Sequence, residues 1–167
     1  RGLTTDRGEV GTVSLARISA SVFETTRVPP MLGRGLIAAD EHIDAPATVV
    51  LGYTIWRDVL GSDPEPIGRV VQLGGVPTTV VGVMPEGYGF PMVQDAWVPL
   101  QVDPALMRPE TAPRGAVFGR LAPGATLESA RAELDVAVRR AASDHPEIYE
   151  HLRPQVAPFA ERASSGQ

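Results

Sequence analysis

Two β-rich apolar runs flank a glycine pair in the middle of the chain. Val70–Leu73 lies before Gly74-Gly75, and Val76–Val83 follows it. Glycine adopts the positive φ that tight hairpin turns require, so this pattern predicts a β-hairpin. Pro85 ends the second strand, and Ala96–Val98 predicts a further extended segment.

Upstream of the hairpin, the pattern alternates between strand and helix. Val10–Ile18 alternates loosely and predicts a strand, whereas residues 1–8 are charged and are expected to fray. Ser19 or Ser21 can cap a short helix that runs through Phe23 and Glu24.

A continuous apolar run and an amphipathic segment come next. Ala47–Leu51 predicts a strand buried on both faces. Tyr53–Leu60 has helical spacing and ends at Gly61, a suitable C-cap residue. The polar stretch Ile37–Asp44 predicts a loop or one helical turn. Trp56 and Trp97 are interpreted as core residues, because burying an aromatic side chain stabilises more than exposing it.

Downstream of the hairpin, one helix dominates the pattern. Thr126–Ser143 carries an apolar stripe, and Thr126 is a good N-cap. Gly115–Leu121 and Leu152–Phe159 predict strands, and Pro104–Pro113 predicts mostly loop with one helical turn at its start.

Composition narrows the functional classes. The 167 residues are 43% apolar and carry a net charge of −5, with no basic run of the kind that binds nucleic acid. The absence of Cys excludes a disulfide, a thiolate nucleophile and a zinc-thiolate site. The chain has no run of about 18 apolar residues, the length that predicts a transmembrane helix. It opens at Arg1 without Met, so we expect a piece of a longer protein.

The sequence gives only weak evidence for a catalytic site. Neither a phosphate-binding glycine pattern nor Gly-x-Ser-x-Gly occurs. Asp144-His145-Pro146-Glu147, with Glu150 and His151, contains metal-ligand residue types, but its spacing matches no zinc signature and a solvated helix end is favoured. Carboxylates at Asp40-Glu41-Asp44 and at Glu65 and Glu86 leave general acid/base chemistry open, but solvation at the surface is the favoured interpretation. We predict no catalytic, cofactor-binding or metal-binding residue.

One loop is a candidate contact site for a partner. Gly87–Met92 places three large apolar side chains between flexible residues: Tyr88, Phe90 and Met92. Such a loop either presents these side chains to a partner or folds them onto the core, and the pattern does not distinguish the two.

Seven short motifs follow one another along most of the chain. They are Ser21-Val22-Phe23, Val28–Gly35, Val49–Leu51 with Trp56, Asp63-Pro64 with Ile67–Leu73, Gly75–Pro85, Asp95–Leu100, and Gly119–Gly124 with Ala130–Leu134. In this order they resemble the MacB-like periplasmic core domain, a family found in ABC-transporter permeases of the MacB/FtsX class. The resemblance covers about residues 14–156.

The resemblance implies an α+β fold made of two α/β parts. A porter-like βαβ part would comprise residues 1–34 and 114–167, and a small hairpin-rich part, residues 35–113, would be inserted into it. The family has no catalytic residues, and ATP is hydrolysed in a separate cytoplasmic subunit or domain.

The implied function is that of a non-catalytic extracytoplasmic domain that couples cytoplasmic ATP hydrolysis to export or to mechanotransmission. It would lie on the periplasmic face of the inner membrane. Its partners would be its flanking transmembrane helices, an ABC ATPase and a periplasmic adaptor or substrate. The parent permease is expected to be dimeric and the excised domain monomeric. The alternatives are a small hydrolase or metal-dependent enzyme and a free-standing binding or adaptor module.

Overall fold

The chain divides into two compact units, Arg1–Ala105 and Leu106–Gln167. The computed structural model describes residues 1–5, 8–103, 115–149 and 153–160. The predicted loop Pro104–Pro113 lies outside the described residues. The boundary between the units differs from the predicted parts 1–34 with 114–167 and 35–113, which stay a prediction.

The first unit is built on one mixed sheet with short helices. Its strands are β1 (Gly2–Thr5), β2 (Gly8–Thr12), β3 (Leu15–Ile18), β4 (Leu32–Gly33), β5 (Thr48–Leu51), β6 (Val70–Leu73), β7 (Val76–Val83) and β8 (Ala96–Pro99). Its helical elements are α1 (Ser21–Thr26), a 3₁₀ turn (Ala38–Glu41) and α2 (Tyr53–Asp58). The strand order is β2-β1-β6-β7-β5-β8-β3, and β4 pairs with β7. The predicted α+β class is confirmed.

The central hairpin forms as predicted. Strands β6 and β7 pair antiparallel from Val70 opposite Thr79 to Leu73 opposite Val76. Gly74 and Gly75 have φ angles of 62° and 82°. Two consecutive positive φ angles are those of a type I′ turn, whose twist matches that of paired strands.

Strand β5 lies in the middle of the sheet and is buried along its whole length. It pairs parallel with β7 and antiparallel with β8. Successive side chains of a strand point to opposite faces, so Val49 and Leu51 join one apolar cluster and Val50 joins the other. The predicted doubly buried strand is confirmed.

Each cluster is covered by one helix. The first cluster, which contains Val49 and Leu51, includes Ile55 of α2 and packs against Trp56 of the same helix. The second cluster, which contains Val50, also includes Phe23 of α1 and the fully buried Trp97. The indole N–H of Trp56 donates to the Asp63 carbonyl at 2.8 Å, and that of Trp97 donates to the Phe90 carbonyl at 2.7 Å. Both tryptophans therefore contribute to the core, as predicted.

The N-terminal prediction is wrong in two respects. Residues 2–5 do not fray but form β1, which pairs with β2 and β6 and buries Leu3 completely. The expected strand Val10–Ile18 is divided into β2 and β3, which pair at opposite ends of the sheet. The division is stabilised at Ser14, whose backbone N–H donates to the Asp95 carboxylate at 2.8 Å.

Helix α1 begins without a serine cap. Its N-cap is Ala20, and the two predicted capping hydroxyls, Ser19 and Ser21, lie 3.0 Å from each other instead. The predicted helical turn within 37–44 forms as the 3₁₀ turn. The predicted helix 53–60 forms as α2, and Gly61 after it has a positive φ.

The second unit contains α3 (Leu127–Asp144) and α4 (Pro146–Tyr149). Thr126 caps α3 as predicted: its hydroxyl accepts from Ser129 N–H at 3.1 Å, and the Ser129 hydroxyl accepts from Thr126 N–H at 3.0 Å. The described parts of the two predicted strands, residues 115–121 and 153–159, contain no strand. Among the residues described there, no neighbouring strand offers hydrogen-bond partners to their backbones.

Candidate functional site

The loop that links β7 to β8 is fixed at several points. Tyr88 N–H donates to the Pro85 carbonyl at 3.2 Å, and Gln94 N–H donates to the Gly89 carbonyl at 3.2 Å. The indole N–H of Trp97 donates to the Phe90 carbonyl at 2.7 Å. The two backbone hydrogen bonds therefore close turns within the loop, and the Trp97 indole ties the middle of the loop to the second cluster.

Tyr88 points towards the core. Its ring lies 6.4 Å from that of Phe23 and 5.0 Å from that of Trp97, measured between centroids. Its hydroxyl lies 3.3 Å from the Thr26 hydroxyl. Burial raises the pKa of Tyr88, and the hydrogen bond with Thr26 offsets part of that rise. Tyr88 is thus an anchor of the loop.

The tip of the loop points outwards. The Met92 side chain is 68% exposed and that of Val93 is 83% exposed, whereas Phe90 is half-buried. We call Phe90, Met92 and Val93 the loop tip. The sequence pattern named Phe90 and Met92 but missed Val93, because a single valine in a loop carries no periodic signal. Contact of Tyr88, Phe90 and Met92 with a partner stays a prediction.

Two of the candidate carboxylates serve structural roles. Asp40 is buried and accepts two hydrogen bonds from the Arg34 guanidinium, at 2.7 and 3.1 Å, and one from Ile37 N–H at 2.9 Å. Burial alone would raise the pKa of Asp40, but these donors and the charge of Arg34 lower it below its usual value. The carboxylate of Glu41 accepts from Ala20 N–H.

The remaining candidate carboxylates lie at the surface. Asp44, Glu65 and Glu86 are all exposed. A general acid and base need to face each other across a cleft. The exposure of all three is typical of solvated surface carboxylates.

The residues of metal-ligand type at the end of α3, for which a solvated helix end is the favoured prediction, are only partly described. His145 Nδ1 lies 3.7 Å from Glu147 Oε1, and both side chains are more than half exposed. Glu150 and His151 lie outside the described residues. Within the described part of the chain, no three His, Cys, Asp or Glu side chains are grouped closely enough to bind a metal ion.

An open groove of about 480 Å³ lies between α1 and the 3₁₀ turn. Its lining includes Ser19, Phe23, Arg34 and Glu41. Arg34 is engaged by Asp40, and Glu41 by Ala20 N–H. Two charged groups of this groove, Arg34 and Glu41, are therefore engaged within the protein.

The glycines near this groove are required by close backbone packing. A Cβ at Gly82 would lie 2.0 Å from the Arg34 carbonyl oxygen, and a Cβ at Gly33 would lie 2.3 Å from that of Val81. Both distances are far below van der Waals contact. Gly33 and Gly82 thus allow β4 to lie against β7.

The sequence model of the MacB-like periplasmic core domain matches residues 1–137. The chain belongs to this family. Among curated proteins, none matches it significantly.

Solved structures are similar to this MacB-like domain, and those with TM-scores of 0.60 and 0.57 share its fold. The periplasmic region of MacB from Actinobacillus actinomycetemcomitans is 18% identical, with a TM-score of 0.60 over 89% of this chain and 64% of that chain. A domain of a putative permease protein from Porphyromonas gingivalis is 14% identical, with a TM-score of 0.57 over 97% and 76%. The extracellular domain of the noncanonic ABC-type transporter YknZ from Gram-positive bacteria is 19% identical, with a TM-score of 0.49 over 59% and 49%.

The MacB-like domain thus spans 49% and 64% of the YknZ and MacB chains that it matches. No helix in the described residues is both long and apolar enough to cross a bilayer.

Proposed function

We propose that this MacB-like domain is the extracytoplasmic domain of an ABC-transporter permease. The observation that supports this most strongly is the family match over residues 1–137. The fold likeness to the periplasmic region of MacB and to a domain of a putative permease agrees with it. Flanking transmembrane helices would connect the domain to a cytoplasmic ABC ATPase, and a periplasmic adaptor or substrate would bind on its outer side.

The proposed role is mechanical and non-catalytic. Movements driven by cytoplasmic ATP hydrolysis reach the domain and are used for export or for mechanotransmission. The use of its carboxylates supports this role, because Asp40 and Glu41 are engaged in structural hydrogen bonds. The division of the chain into two compact units supports it as well, since units within one chain move relative to each other by default.

The location can be tested with one cysteine, because the chain contains none of its own. In a parent protein free of other cysteines, Val117→Cys should react in intact cells with a membrane-impermeant maleimide, since Val117 is 99% exposed. Val80→Cys is the matched control; Val80 is fully buried and should react only after denaturation. Reaction of Val117→Cys only after the cells are permeabilised would contradict an extracytoplasmic location.

The mechanical role can be tested by distance measurements between spin labels. Labels at Val93 in the first unit and Val117 in the second should change their separation when ATP is added to the reconstituted parent permease and its ATPase. A control pair at Val70 and Val93, both exposed in the first unit, should keep its separation. An unchanged Val93–Val117 distance throughout the ATP cycle would exclude coupled movement of the two units.

We also propose that the loop tip contacts a partner protein. Met92 and Val93 are exposed while Tyr88 and Trp97 hold the loop in place, so binding would cost little ordering of the loop. Met92→Asp with Val93→Asp should lower the parent permease's transport activity without changing the melting temperature. Ile43→Asp alters an exposed isoleucine outside the loop and is the control. Full activity of the loop variant would refute the contact.

A further inference from the structure

The 3₁₀ turn Ala38–Glu41 connects segments that are far apart in the sequence. On one side, Asp40 binds the guanidinium of Arg34. The Arg34 backbone N–H in turn donates to the Val81 carbonyl of β7 at 2.9 Å. The turn is thereby fixed to the central sheet.

A second connection runs from the turn to α1. Glu41 accepts a hydrogen bond from Ala20 N–H, the N-cap residue of that helix. Because α1 has no side-chain cap of its own, Glu41 supplies an acceptor to its first turn from another segment. A displacement of the 3₁₀ turn would therefore weaken or shift the hydrogen bond at the start of α1.

The third connection runs to the end of β8. Gln101 Nε2 donates to the Asp40 carbonyl at 3.0 Å and to the Ala45 carbonyl at 3.4 Å. A primary amide has two N–H donors, which suits two neighbouring carbonyls. One residue earlier, Leu100 N–H donates to the Ile18 carbonyl at 2.9 Å and continues the pairing of β8 with β3.

We propose that Gln101 is a positioning residue that ties the end of β8 to the 3₁₀ turn. The chain passes from the first unit to the second shortly after Gln101. A pull on this part of the chain is then shared between the turn, α1 and β7 instead of acting on the β8–β3 pairing alone. This inference rests on the proposed mechanical function. It identifies the contact between Gln101 and the 3₁₀ turn as the point at which force is transmitted to the first unit.

The anchor can be tested by hydrogen exchange on the 167-residue chain. Gln101→Leu keeps a similar volume but removes both donors. We expect amides in segments 38–46 and 98–103 to exchange about fivefold faster for each hydrogen bond of about 1 kcal/mol that is lost. Gln72→Leu, at an exposed position of β6, is the matched control and should leave both segments unchanged. Unchanged exchange in Gln101→Leu would overturn the inference.

Distance measurements on the parent permease distinguish a positioning role of Gln101 from a merely structural one. In the ATP-dependent distance measurement between Val93 and Val117, Gln101→Leu should broaden the distance distribution and reduce the ATP-driven shift, while Gln72→Leu should behave as wild type. If wild type and Gln101→Leu shift equally, the inference fails and the proposed function stands. If wild type does not shift at all, the proposed function fails and the inference fails with it.

Discussion

The two units differ in how far their apolar residues are buried. In the first unit, the apolar residues of β5 are buried on both faces of the sheet. In the second unit, the 18-residue helix α3 has no buried residue, and Leu134 in its apolar stripe is 40% exposed. An amphipathic pattern thus predicts an element without showing whether its apolar face is covered.

A helix cap and a few side-chain contacts, without strand pairing, connect the described parts of the second unit. The Thr126–Ser129 capping box begins α3. Arg131 donates to the Val156 carbonyl at 3.2 Å, and the rings of Phe118 and Phe159 meet edge to face at 5.7 Å. The first unit, in contrast, is held by pairing between strands distant in sequence, so substitutions in the two units should differ in their energetic cost.

The largest difference is expected between two apolar truncations. Trp97→Ala should lower the free energy of unfolding by about 3–5 kcal/mol, because Trp97 is fully buried and its removal leaves a cavity. Leu134→Ala should cost about 1 kcal/mol or less, since this side chain is partly exposed. Urea denaturation followed by circular dichroism measures both. A similar loss for Leu134→Ala would mean that the α3 stripe is covered in solution.

Two glycine substitutions provide the next contrast. Gly82→Ala places a Cβ about one bond length too close to the Arg34 carbonyl oxygen, at 2.0 Å. It should destabilise the first unit by about 1–3 kcal/mol or more through overpacking. Gly119→Ala in the second unit meets no atom within 4 Å and should change stability by no more than about 0.5 kcal/mol. Thermal unfolding of both variants tests this, and equal melting temperatures would contradict the close packing of β4 on β7.

A third contrast depends on pH. The pKa of folded Asp40 is lowered, so its ion pair stabilises the protein above the pKa of the unfolded carboxyl, about 3.9, and this stabilisation is lost as the pH falls through the lower folded pKa. Asp40→Asn should therefore destabilise the protein by about 1–3 kcal/mol at pH 7 and by progressively less below about pH 4. Melting temperatures from pH 7 to 2.5 measure the difference.

Asp44→Asn is the control for that experiment, because Asp44 is an exposed carboxylate close in sequence. A destabilisation by Asp40→Asn that is constant over the whole pH range would show that the charge of Asp40 is not what stabilises the 3₁₀ turn.

The smallest effect is expected at the cap of α3. Thr126→Ala removes the acceptor for Ser129 N–H and should cost about 1 kcal/mol, seen as faster hydrogen exchange in the first turn of α3. Thr126→Asp retains an acceptor and should restore slow exchange. Faster exchange spreading into the β-sheet after Thr126→Ala would argue against local stabilisation of the second unit.

The sequence predicted those parts of the fold that depend on near neighbours. The Gly74-Gly75 hairpin follows from turn chemistry, and the start of α3 at Thr126 follows from capping. Strand β1 was missed because its stability comes from Leu3 pairing opposite Leu73, far away in the chain. Residues 115–121 have strand composition, but a strand also needs a partner strand, which composition does not supply.

The candidate site was predictable only as a segment. Alternating glycines and large apolar residues marked the loop, yet nothing in their spacing distinguished Tyr88, which packs on Phe23, from the exposed Met92. That distinction arises from Trp97 and Thr26, which contact the loop from other elements. The role of Gln101 could not be predicted from the sequence for the same reason, since its acceptors lie in a segment 56 to 61 residues away.

The pairing of β3 with β8 also determines the order in which a new chain can fold. Leu15 pairs with Ala96 and Leu3 with Leu73, so β1 and β3 complete their pairing only when strands much later in the sequence are present. Sheets closed by such distant pairings form slowly, and their unpaired apolar strands are prone to aggregation meanwhile. The hairpin Val70–Val83, whose strands are adjacent, is expected to form first and to serve as the template on which the waiting N-terminal strand β1 is added.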